Sequence, residues 1–150
     1  MKNQKNLIVS FFFSILLLIT STHSFAQGTV GKLYSKGQAD QLFGSVLVSK
    51  TISSAALTAL AQRCPQYIMF NIINGHLFVL NSKREVLSGA LSKVDPSQVF
   101  HFCSASMILQ LIQSSGANTL NVELRQNNMT ITAGSLTLED FMTCPPTCAQ

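Results

Sequence analysis

The side chains in this chain best suited to chemistry are its cysteines and histidines. Cys144 and Cys148 flank Pro145, Pro146 and Thr147. Two neighbouring thiols can cycle between dithiol and disulfide, or hold a soft metal such as Cu(I). The usual redox spacing is Cys-x-x-Cys at a helix N-terminus, where the dipole lowers the first thiol's pKa. Here three residues intervene, two of them proline, and no helical pattern follows. The motif therefore reads first as a structural bridge. The simplest pairing is Cys144 with Cys148 and Cys64 with Cys103, although 64 and 103 fall in core-like segments where a buried thiol also fits.

His101 and Cys103 lie two apart in a strand-like segment, so their side chains share a face. That spacing offers two metal ligands or a thiolate beside a base. A metal would need further ligands, and no second cluster supplies them. His76 stands beside a turn. The six acidic residues are spread along the chain, and no pair is placed for general acid and base work. There is no G-x-S-x-G, H-E-x-x-H or Gly-rich phosphate loop. Asn128-Met129-Thr130 is a glycosylation sequon, meaningful only on a eukaryotic secretory route. No catalytic residue, metal or cofactor is assigned, and the reading leans away from an enzyme.

The N-terminal stretch points to export. Lys2 and Lys5 precede an apolar run, Leu7 to Ile19, and Ser24 and Ala26 provide small residues at −3 and −1. That is the order of a secretory signal peptide, with cleavage expected after Ala26. The apolar core is shorter than the roughly 20 residues a membrane span requires. The expected product, residues 27–150, is periplasmic or secreted and is not membrane-bound once the signal is removed. Loss of Lys2 and Lys5 leaves eight basic and six acidic side chains, a net charge of +2. Charges so few and scattered disfavour nucleic acid as a partner.

The remainder fits one domain. Its most legible stretch is Tyr67 to Leu80, two apolar strands about Asn74-Gly75, the preferred pair for a type I′ turn. A turn there places Ile68 opposite Asn81, Phe70 opposite Val79 and Ile72 opposite Leu77. Met69 then faces Leu80, Asn71 faces Phe78 and Ile73 faces His76. Both faces are apolar, whereas a half-exposed antiparallel strand alternates with polar residues. The face carrying Met69, Ile73, Phe78 and Leu80 is therefore a candidate binding surface.

Before this hairpin, Gln27 to Leu33 reads as a loose entry and Tyr34 to Gly44 as a short helix that Ser35 can cap. Ser45 to Lys50 reads as a strand. Leu57, Leu60, Ala61 and Cys64 define one face of a helix over 54–64. Glu85 to Ser88 gives a short strand, and Gly89 to Ser97 a linker. Gln98 to Cys103 is strand-like, and 106–115 is helical with Gly116 as its cap. Thr119 to Arg125 and Met129 to Ala133 form a second hairpin. Leu120, Val122, Leu124, Met129 and Ile131 share one face, while Asn121, Glu123, Arg125, Thr130 and Thr132 share the other, expected to face water. Ser135 to Leu138 adds a strand, or 137–142 a helical turn.

The order strand, helix, hairpin, short strand thus occurs twice, over 41–88 and 98–139. The expected fold is α+β: one antiparallel sheet with two helices on one face, built from a duplicated β-α-β-β-β unit. The expected function is a non-catalytic binding or interaction module, with an unknown protein partner or self-association. The competing reading is a thiol redox or metal-handling protein using Cys144 and Cys148.

Overall fold

A computed structural model describes residues 28–64, 66–126 and 128–144. The expected signal peptide and Cys148 lie outside the described residues. No described helix is long and apolar enough to cross a membrane.

In chain order the described elements are β1 (Lys32–Ser35), α1 (Lys36–Phe43), β2 (Val46–Ser53), α2 (Ser54–Gln62), β3 (Tyr67–Ile73), β4 (His76–Asn81) and β5 (Val86–Ser88). There follow β6 (Phe100–Ser104), α3 (Ala105–Ser115), β7 (Thr119–Arg125), β8 (Met129–Ala133), β9 (Leu136–Glu139) and β10 (Met142–Cys144). The fold is α+β and mostly sheet, with three short helices among the described residues, each on a segment that the sequence reads as helical.

Local chemistry explains most of these elements. Asn74 and Gly75 both take positive φ, 51° and 77°, as a type I′ turn demands. The β3–β4 register follows, with Ile68 opposite Asn81 and Ile73 opposite His76. Ser53 caps α2 by accepting from the Ala56 N–H. Gly116 closes α3 in the left-handed conformation, its N–H bonded to the Ile112 carbonyl. Ser35 and Gln38 form a reciprocal capping box that starts α1.

The single expected sheet is instead two, each of five antiparallel strands. Their orders are β1-β9-β8-β7-β2 and β10-β6-β3-β4-β5. The strand before α2 does not join the hairpin that follows it; β2 pairs with β7, while β6 pairs with β3. The entry segment is not loose throughout, because Lys32–Ser35 pairs with Leu136–Glu139. That pairing also makes 136–139 a strand rather than a helical turn. These strands find partners far along the chain, which local periodicity does not encode.

One apolar cluster draws Leu57 from α2, Ile108 and Leu111 from α3, Phe70 and Val79 from the second sheet, and Val122 and Ile131 from the first. A smaller cluster lies on the other face of the second sheet and comprises Met69, Phe78, Leu80, Phe100, Phe102 and Cys144. The remaining face belongs to the first sheet. Of the polar residues expected to face water, Glu123, Arg125, Thr130 and Thr132 are buried there, while Asn121 stays exposed as expected.

Candidate functional site

On that polar face Glu123, Arg125, Thr130, Thr132, Thr137 and Glu139 are all buried, and Arg125 is only 1% exposed. Burying a charge is costly unless it is paired and hydrogen-bonded. Arg125 meets that condition at each nitrogen. Nε donates to Thr130 Oγ1 at 3.2 Å, and Nη2 to Glu123 Oε2 at 2.9 Å. Nη1 donates to Asp40 Oδ1 at 2.9 Å and to the Gly44 carbonyl. Glu123 Oε2 also accepts from the Thr130 and Thr132 hydroxyls at 3.1 and 2.9 Å, and Thr132 meets Thr137 at 3.1 Å. No buried side-chain nitrogen or oxygen among the described residues lacks a partner.

The cover is α1. Only Ala39 of this helix is buried. It is further attached through the Asp40–Arg125 pair, the Lys36 N–H bonded to the Ser135 carbonyl, and the Phe43 ring edge-on to Tyr34 at 5.4 Å. Lys36 and Arg125 together hold the Asp40 carboxyl below the usual carboxylate range. At the far end of the same face, burial raises the Glu139 carboxyl to about 7. The Asp140 charge adds to that rise, while the Asp140 N–H and the Arg125 charge oppose it. Asp140 in turn accepts from the Tyr34 hydroxyl at 2.7 Å, which lifts that phenol to about 12.

The sequence-level candidates are placed as follows. Met69, Phe78 and Leu80 are at most 2% exposed, and Ile73 is half-buried against them. Their face is core, not free surface. Val30 from the entry and Val94 from the segment after β5 pack on it. His101 and Cys103 do project together from β6. Burial lowers the imidazole's pKa and pushes the thiol's far up, so neither is activated. Cys64 and Cys103 are free, so the 64–103 disulfide is absent; both occupy the main core as small apolar side chains. Cys144 is buried at the end of β10, within reach of the Arg84 guanidinium, and Cys148 lies outside the described residues. Thr130 of the sequon is fully buried in β8. A pocket of about 270 Å³ lies between Arg63, Cys64, Asn81, Ser82, Lys83 and Glu85, where burial again raises the Cys64 thiol. No three His, Cys, Asp or Glu among the described residues converge as a metal site.

Two features were missed in the sequence. One is the buried polar cluster. The other is an apolar strip outside the core: Leu42 at the end of α1 and Val46, Leu47 and Val48 on β2 are 37–64% exposed. The Gly44-Ser45 break between helix and strand, with apolar residues on both sides, was the available signal. No protein-family model matches the chain, nor does any curated protein or solved structure.

Removing one member of a buried ion pair strands the other. Arg125→Leu is therefore expected to cost about 3–5 kcal/mol in chemical denaturation. Lys36→Ala, which removes only the exposed bond to Asp40, should leave stability nearly unchanged. Equal losses would contradict the network described.

Glu139 provides a pH test. Its folded pKa is raised, so its contribution is complete below the ordinary value of 4.5 and is lost as pH rises through about 7. Wild-type stability should fall relative to Glu139→Gln between pH 5 and 8. Parallel stability curves over that window would rule out the burial-driven shift.

Proposed function

We propose that this protein is an exported, non-catalytic binding module whose partner is another protein or a second copy of the chain. The observation that carries the proposal is the strip of Leu42, Val46, Leu47 and Val48. The rest of the described fold places most of its large apolar side chains in cores, whereas this run stays outside. The register turns Val46 to the Arg125 side of the sheet and Val48 to the Leu124 side, so the exposed apolar run wraps the strand's edge, and exposed apolar surface marks interaction sites. β2 is also an edge strand. Its register shifts between Val46 and Val48, and Lys50 sits further along it. Bulges and edge lysines hinder continuation of a sheet by a foreign strand. A partner that lays side chains across the strip suits this edge better than one that extends the sheet.

The test is capture and sizing of residues 27–150 with and without Leu47→Asp. Wild type should self-associate, or retain a partner from its own source extract, and the variant should lose that association while keeping its fold. A wild-type monomer that captures nothing, or capture untouched by the substitution, would sink this reading.

We further infer that 41–88 and 98–139 are duplicated units that have exchanged their first strands. The inference is supported by matching strand orders, β2-β7-β8-β9 in one sheet and β6-β3-β4-β5 in the other. In each unit a helix follows the first strand. The isolated 41–88 unit is then expected to fold as a strand-exchanged dimer in sedimentation. A folded monomer, or an unfolded chain, would count against duplication.

A further inference from the structure

The segment between β5 and β6, residues 89–99, has no helix or strand of its own. It runs over the apolar outer face of the second sheet. Its hold there is mostly polar. Val94 packs partly on the cluster, and Gly89 comes so close to the Phe78 ring that a Cβ there would lie 2.5 Å from Phe78 Cδ1. The main attachment is Arg84, whose Nη2 donates to the carbonyls of Asp95 at 3.3 Å and Gln98 at 2.8 Å. The segment keeps its own shape, because Asp95 Oδ1 accepts from the Ser97 N–H and hydroxyl and the Asp95 carbonyl from the Gln98 N–H. Its far end is tied where Asn71 Nδ2 donates to the Val99 carbonyl at 2.7 Å.

Arg84 is held independently of this strap. Its Nη1 donates to the Cys144 carbonyl at 3.3 Å, and its guanidinium lies 5.3 Å from the centre of the Phe100 ring. Lifting the strap therefore frees the Nη2 donors without releasing the guanidinium. Beneath lie Met69, Phe78, Leu80 and Phe100, an apolar floor with one fixed cation at its rim. The rim also carries an exposed apolar side chain, Met142 on β10, which is 44% exposed. Met142 pairs with Phe102 and so shares the floor's side of the sheet.

We propose that residues 89–98 form a strap over a binding site for a single-chain carboxylate amphiphile, whose tail replaces the strap on the Phe78–Phe100 floor and whose head takes the Arg84 Nη2 donors. A charged hydrogen bond of this kind selects the head group, and the floor selects an apolar tail. The site is separate from the β2 strip, so its failure and that of the proposed partner surface are told apart by Leu47→Asp, which leaves amphiphile binding unchanged.

The experiment uses laurate, with dodecanol as the neutral control, below micellar concentration. Binding is read by calorimetry and strap release by the rate of tryptic cleavage after Lys93. Laurate should bind wild type and accelerate that cleavage. Gly89→Ala puts a methyl group 2.5 Å from Phe78 Cδ1 and forces the strap up. Removing the cost of opening should tighten laurate binding about tenfold. Arg84→Ala should reduce laurate to the affinity of dodecanol. Laurate that neither binds wild type nor changes Lys93 cleavage overturns the proposal, as does equal affinity for laurate and dodecanol in wild type. Should Gly89→Ala fail to fold, the wild-type measurements decide.

Discussion

β3 and β4 are apolar on both faces, and the architecture answers to that constraint. Burying a Phe, Leu or Met side chain contributes roughly 1.5–3 kcal/mol, against a total stability of about 5–15 kcal/mol for an ordinary domain. Leaving Met69, Phe78 and Leu80 in water would forfeit much of that total. The second sheet therefore needs cover on both sides. Its inner face shares the main cluster with α2, α3 and the first sheet. Its outer face has no helix among its cluster residues and is closed by Val30 and Val94 in irregular segments. Arg84, in the left-handed conformation at the turn before β5, draws the strap, β10 and the Phe100 ring together.

The first sheet solves the opposite problem. Its outer face is polar and yet buried, and Arg125 makes that tolerable. One guanidinium joins Asp40 on α1, Glu123 on β7 and Thr130 on β8. A polar network of this kind is stable only while every member is satisfied. Glu139 lies outside its direct bonds, and burial makes its carboxyl hold a proton to higher pH. Thus α1 and the strap are each attached through polar contacts and few apolar side chains. Such segments open at lower free energy than the sheets beneath them.

Legibility in the sequence varied with the range of the interaction. The β3–β4 register was readable because Asn74-Gly75 specifies the turn and side chains alternate with a period of two. The same parity assigned the β7–β8 faces, and spacing alone placed α2 and α3. The fate of the polar face was not readable. Thr, Glu and Arg at alternate positions look the same on a wet surface and in a satisfied buried cluster. The deciding contact, Arg125 to Asp40, joins residues 85 apart in the chain. The Phe78 face was recognised as apolar, but nothing local says that Gly89 and Arg84 bring a strap across it.

By itself, the sequence determined the hairpins, the facing pairs of the first and the two faces of the second, the two longer helices and the left-handed stop at Gly116. All of these follow from turn chemistry and periodicity within about a dozen neighbours. Tertiary structure decided that there are two sheets, that β2 and β6 each join the other half's hairpin, and that one sheet's polar face is closed over by α1. It also turned a suspected open surface into a covered one. The physical reason is that strand pairing and side-chain cover are set by whichever surfaces meet in three dimensions. Backbone hydrogen bonds carry no record of sequence, so a strand's propensity says that it will pair but not with which partner.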